Sequence, residues 1–333
     1  MDTPSDRERA AITRIQNLFL GLQAGRYVGL DRRVQRPVFL KPQGHARGVF
    51  TIRPDLPQEL RVGVFALEES SAWVRFSSDT VPQVPDAANS TLGLAIKLLD
   101  VPGPKLLGGE EQALTHDFVL QNHDVFFVDD AETFAEFTEV SLSSPEAFEA
   151  FLSSHPDTAR ILQEMAKDEE SVLLAHYSST VPYAFGDRFV KYAVRPGADT
   201  CNPPPVPREK RGPNYLRRDL RRRLLERGAR FDFFLQFQKD PETMPLEKAT
   251  VRWSEELSPL IKVATLELPA GQDIDTPGQP EAIDNLSYSP WHALAEHSPV
   301  GSINRARRAV YKASADYRRR RNHVPIGEPS EAV

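Results

Sequence analysis

Arg307 and Tyr311 stand four residues apart in SINRARRAVYKASADYRRRR, the stretch from Ser302 to Arg321. Ile303, Ala306, Val310 and Tyr311 are spaced to make one buried stripe of a helix, while most of the arginines fall elsewhere. An i, i+4 pair of this kind sets a guanidinium beside a phenol, and a nearby cation favours the charged form of an acid. The chemistry open to the pair is a phenolate, an oxygen ligand for ferric haem. By itself a tyrosine on an apolar helix face is a packing residue with its hydroxyl bonded nearby. The elements around it have to decide between the two.

Those elements come from a chain of 333 residues, 40% hydrophobic and 26% charged, long enough for one large domain or two ordinary ones with a full core. Its formal charge of -6 argues against a nucleic-acid or membrane-surface partner. A single cysteine, Cys201, rules out an internal disulfide and a Cys-rich metal site. The N-terminus is charged at its start and never reaches a long apolar run, so neither a signal peptide nor a membrane span is expected, and the expected compartment is the cytoplasm.

A helix is predicted from about Ser5 to Gln23, with Ile12, Ile15, Leu18, Phe19 and Leu22 at helical spacing. Arg36 follows, then FLKPQGHARGVFTIR, in which Gly44 and Gly48 bracket His45; on its own terms His45 reads as a loop histidine. Short strand-like runs come next: GVFTIR, LRVGVFAL, AWVRFS, GLAIKLLD and DFVLQ, separated by Pro, Gly, Asp, Asn and Ser clusters. Helical periodicity takes over in Ala131 to Val140, Pro145 to Leu152 and Ala159 to Lys167. Strands return in DRFVKYAVRP, ARFDFFLQFQ, KATVRW and LIKVATLEL. Between them the arginine-rich run from Arg208 to Arg230 carries Leu216, Leu220 and Leu224 as an apolar stripe and reads as a helix with a solvated basic face.

Strands on both sides of a helical insertion predict one closed antiparallel barrel of about eight strands in an α+β chain, with helices packed outside it. A single unit of residues 1–333 is expected. Residues 1–25 form its first helix, 26–268 the barrel with an insertion at about 130–170, 269–300 a surface connector, and 301–322 the last helix.

Several motifs together resemble the haem catalases. AWVRFSS, LGLAIKLLDVPGPKLL and HDFVLQNHDVFFVDDAETFAEF are similar, in order, to the family's central segments. HYSSTVPYAFGDRFVKYAV, FDFFLQFQKDPETMPLEKATVRWSE and the stretch from Asp284 to Tyr311 resemble the shorter bacterial catalase-related proteins, Asp284 standing where that group often has Glu. The resemblance covers nearly the whole chain. It implies haem b with Tyr311 as the proximal ligand to iron and Arg307 as the cation beside it. It also implies Asn122 on the distal side, Phe126 against the macrocycle, and Arg36, Arg75 and Arg318 near the propionates, with Phe39 and Ser77 flanking the haem distally. Family members commonly assemble, so a homo-oligomer is an open expectation.

The departure lies on the distal side. Catalases carry a His-Ala-Lys-type motif whose histidine moves the peroxide proton, and the corresponding triplet here is Phe39-Leu40-Lys41. The family's Arg-x-x-His reads Arg36-Pro37-Val38-Phe39, and a second histidine common before a glycine in the shorter relatives reads Gln43-Gly44. Phenylalanine takes no proton. Either His45 has moved into the role or acid-base help is missing, which lowers rate by about 10² to 10⁴ without preventing haem binding. Ser77, which supports the distal histidine in the family, then loses that task.

Three functions stay open at this point. The first is a haem-dependent oxidoreductase acting on hydrogen peroxide or an organic hydroperoxide, weak as a true catalase. The second uses the same pocket for hydroperoxide rearrangement or oxidation of a small metabolite, to which Phe39 is suited. The third is a haem-binding protein without catalysis, against which an intact Arg307, Tyr311 and arginine set argues.

Overall fold

In the computed structural model residues 3–201, 204–277, 285–325 and 327–329 are described. Asp284 and the middle of the 269–300 connector lie outside them. The strands are β1 (Lys41–Ile52), β2 (Glu69–Ser78), β3 (Leu92–Leu99), β4 (Thr115–Gln121), β5 (Tyr177–Ser178), β6 (Tyr183–Phe185), β7 (Arg188–Pro196), β8 (Ala229–Phe237) and β9 (Ile261–Leu268). They run in the order β5-β4-β3-β2-β1-β9-β8-β7, and β5 pairs with β7 to close an antiparallel barrel of eight strands, with β6 added on β7. Closure satisfies the edges that an open sheet leaves unpaired.

Alternation along the strands decides which residues meet inside. Phe50, Phe118 and Phe233 converge with Phe65 in the interior, their rings 4.8 to 6.3 Å apart. All four are buried, and each such side chain contributes about 1.5–3 kcal/mol when removed from water.

Two expected strands are absent, each for a local reason. LRVGVFAL follows one 3-10 turn, Gln58–Leu60, and forms a second, Gly63–Ala66. Gly63 is at φ +54°, incompatible with extended backbone, and the Val64 amide donates to the His297 ring at 3.2 Å instead of to a neighbouring strand. KATVRW is irregular because its backbone is committed to Asp129. The Ala249 amide donates to the Asp129 carbonyl at 3.2 Å and the Thr250 amide to the Asp129 carboxylate at 3.1 Å. The barrel is completed by β5, two residues long and without a readable period.

The helices are α1 (Asp6–Gly25), α2 (Ala131–Ser143), α3 (Pro145–Ser154), α4 (Pro156–Met165), α5 (Tyr215–Glu226) and α6 (Ser302–Arg321). Ser5 caps α1 through the Glu8 amide, and Asp130 caps α2 through the Thr133 amide. In α5 the leucine stripe is buried as expected, but so is Arg223, which Asp219 and the Thr200 carbonyl hold at 2.8 Å each. Helices α1, α2 and α6 share a small apolar cluster of Ala11, Ile15, Ala131, Ala135, Ala306 and Val310. Among the described residues, no helix is long and apolar enough to cross a membrane.

Candidate functional site

The outer face of the barrel carries the site. Residues opposite one another in a ladder point to the same side. Arg75 pairs with Ala95 and Ala95 with Val119, while Ser77 pairs with Gly93 and Gly93 with Gln121. These side chains form the floor of a cavity of about 380 Å³, while the intervening Phe76, Ile96 and Phe118 belong to the core. Opposite the floor stands α6, which contributes Arg307, Val310, Tyr311, Ser314 and Arg318. Phe126, Phe127, Phe134 and Phe137 close one end, Phe126 stacking on Phe127 at 4.5 Å and meeting Phe134 edge-on at 5.3 Å.

Helix α6 starts where it does because of Gly301, at φ +90°; a Cβ there would fall 2.5 Å from the Leu246 carbonyl oxygen. Its first amide donates to Glu247, and Arg305 pairs with Glu8 at 2.6 Å and Glu247 at 2.9 Å, which fixes the helix against α1. With Ile303, Ala306 and Val310 packed inward, Tyr311 is carried to the cavity. An Arg307 guanidinium nitrogen stands 3.4 Å from the Tyr311 hydroxyl oxygen, and the other donates to Asn304 at 3.1 Å. Burial acts to discharge Arg307, but the neighbouring oxygens of Tyr311 and Tyr183 outweigh it and raise its pKa above the ordinary arginine value.

Three more arginines gather at one edge. Arg36 and Arg318 both donate to the Leu286 carbonyl, at 2.6 and 3.0 Å, which draws their guanidinium groups together. Arg75 donates to the Phe39 carbonyl at 2.9 Å. Arg36 and Arg75 also line a neighbouring polar pocket with Arg33, Asn285 and Asn322. Within the main cavity's walls the Gln121 amide nitrogen and the Tyr288 hydroxyl are buried with no hydrogen-bond partner among the described residues. An apolar body, a cationic edge, unspent polar atoms and a phenol on the opposite wall suit a flat apolar molecule that carries anions on one side.

Of the residues singled out from sequence, Tyr311, Arg307, Arg318, Arg36, Arg75, Phe39, Ser77 and Phe126 all line this cavity. His45 and Asn122 do not. His45 lies on β1 across the ladder from Arg75, buried on the far side of that arginine. The Asn122 side chain is turned into the fold, accepting from the Leu92 amide at 2.8 Å and donating to Glu169 at 2.8 Å. Phe39 lines the cavity at φ +50°, its ring against Gly93.

Two features escaped sequence reasoning. Asp79, directly after β2, is the one carboxylate among the described residues that line the cavity. Further along the same outer face, Lys97 and Asp117 are opposite each other and fully buried at 2.6 Å. Glu328 from the C-terminal segment also pairs with Lys97, and it bonds Arg319 at 3.1 Å and Ser287 at 3.1 Å. Only the polar alternation in GLAIKLLD and THDFVLQ, with Lys97 and Asp117 at outward positions, signalled the pair in advance.

No family model and no curated protein matches this chain. Solved structures do. A fungal catalase matches at TM-score 0.66 and 18% identity over 91% of this chain and 61% of its own. Catalase A from Saccharomyces cerevisiae matches at 0.66 and 16%, over 91% of this chain and 64% of its own. A bacterial catalase matches at 0.64 and 17%, over 95% and 64%. The chain thus spans less than two thirds of the length of these catalases, and the likeness is one of fold.

Proposed function

We propose, from a fold shared with catalases and a cavity built around Tyr311, that this chain binds haem b and is a haem-dependent oxidoreductase acting on a hydroperoxide. The observation that carries the reading is the placement of Arg307 and Tyr311, 3.4 Å apart, on the wall facing an apolar cavity with Arg36, Arg75 and Arg318 at one edge. Ferric haem takes an anionic oxygen as axial ligand, and Tyr311 with a cation beside it is the group suited to that place. The three arginines supply bidentate donors for two propionates. Phe126 and its ring neighbours supply the apolar surface that a macrocycle buries.

When bound, haem supplies the redox chemistry that breaks an O–O bond. The chain's own part is to hold it, orient the peroxide and handle the proton. No histidine lines the cavity among the described residues, and Phe39 occupies part of the floor. That wall favours an organic hydroperoxide, whose apolar part packs on Phe39, over rapid disproportionation of hydrogen peroxide, which depends on a proton shuttle.

The test is the absorption spectrum of the purified, haem-supplemented protein beside Tyr311→Phe. A high-spin ferric spectrum in the native protein, lost or shifted in the variant, supports Tyr311 as ligand. Oxygen release from hydrogen peroxide and alcohol formation from cumene hydroperoxide then separate the two substrates, with the second expected to dominate. A native protein that takes up no haem would overturn the reading.

A further inference from the structure

We propose that Asp79 is the acid-base group of the cavity, its carboxylate taking the proton of a hydroperoxide that enters beside Phe39. This rests on the haem reading above. One O–H bond breaks on the peroxide and one forms on the carboxyl oxygen, leaving a peroxide anion for the haem that the cavity would hold. No electron changes hands in that step.

Three observations carry it. Asp79 lines the same cavity as Phe39 and Ser77, and no histidine or second carboxylate does so among the described residues. One of its oxygens accepts the Phe39 amide at 3.1 Å, which fixes the carboxylate against the backbone of the residue that fills the histidine's place. That bond uses Oδ1 alone. The Oδ2 oxygen has no hydrogen-bond partner among the described residues, and the side chain is accessible from the cavity rather than packed away.

The surroundings also suit the task. Removal from bulk water inside the cavity raises the Asp79 pKa above the ordinary carboxylate value, while the Phe39 amide and the charge of Arg26 draw it partly back. Arg26, at the end of α1, is the charged group acting on it and is itself held by the Pro37 carbonyl at 2.5 Å. A carboxylate moved toward neutrality is a stronger proton acceptor than an exposed one. The competing use of Asp79, as a structural cap for the turn at Phe39, employs only Oδ1.

The experiment compares cyanide association with the haem-loaded native protein, Asp79→Asn and Asp79→Ala. Hydrogen cyanide must give up its proton to bind as the anion, so the rate reads the base without peroxide turnover. Both variants are expected to keep the native haem spectrum, to bind cyanide about 10- to 100-fold more slowly, and to lose kcat on cumene hydroperoxide with little change in KM. Asp79→Glu is expected to recover part of the rate. Native haem spectra with unchanged cyanide rates in both variants would overturn the role of Asp79 and leave the haem reading intact. No haem uptake by the native protein would overturn both. Loss of haem from Asp79→Asn and Asp79→Ala alike would make Asp79 a structural residue and sink the proposal.

Discussion

The ring of Phe39 lies on the backbone of Gly93: a Cβ built at Gly93 would come within 2.7 Å of Phe39 Cδ1 and 3.0 Å of the Ser77 hydroxyl. A glycine on β3 thus makes room for a large apolar side chain on the cavity floor, and the backbone at Phe39 adopts φ +50° to place it there. The cavity floor is shaped at this point for an aromatic ring.

Phe39→His is expected to be tolerated, since histidine is among the residues that accept a left-handed backbone. It adds an imidazole to the cavity floor and is expected to raise oxygen release from hydrogen peroxide by about 10-fold or more. Oxygen electrode traces of the two haem-loaded proteins decide it; equal rates would mean that proton handling does not limit turnover. Gly93→Ala should instead displace the Phe39 ring and weaken haem uptake, read by spectrophotometric titration.

Lys97 is fully buried between Asp117 and Glu328, and it also stands 5.3 Å from the ring centre of Tyr288, a cavity residue. Desolvation opposes the charge on Lys97, but the two carboxylates outweigh it and hold the lysine protonated. Lys97→Met leaves both carboxylates without that cation and is expected to cost about 3–5 kcal/mol in urea unfolding. Glu328→Gln keeps a hydrogen-bonding shape and is expected to cost less, about 1–2 kcal/mol. An unchanged midpoint in Lys97→Met would show that the cluster does not form.

His297 supplies a pH response. It is buried, accepts from the Val64 amide at 3.2 Å and faces the Tyr192 hydroxyl at 3.2 Å, and burial lowers its pKa to about 4. The unfolded chain binds a proton below about pH 6.5 while the folded chain does not until about pH 4. Stability is therefore fully present above pH 6.5 and lost as pH falls toward 4, by on the order of 3 kcal/mol. His116, beside it at 5.4 Å, is lowered by burial and by His297 and acts in the same direction. Calorimetric melting between pH 7 and pH 4 measures the slope, and His297→Gln should flatten it. A slope identical in the variant would assign the acid response elsewhere.

The sequence by itself determined the periodic elements. The apolar residues Ile303, Ala306 and Val310 of α6, the alternation of Phe231, Phe233 and Leu235 with Asp232 in β8, and the leucines Leu216, Leu220 and Leu224 of α5 are local patterns, and these apolar side chains are buried. The Arg307 and Tyr311 pair was legible for the same reason, being a matter of helical spacing. Tertiary structure alone decided what shares a surface. Whether His45 or Asp79 reaches the cavity depends on strand register and on how far across the outer face a residue lies, which pairing between distant strands sets. His45 falls behind Arg75, and Asn122 turns inward to the Leu92 amide and the Glu169 carboxylate. Asp79 is left beside Phe39. The 3-10 turn at Gly63, the two-residue β5 and the descent of Glu328 onto Lys97 likewise depend on partners far away in the chain, which no local pattern encodes.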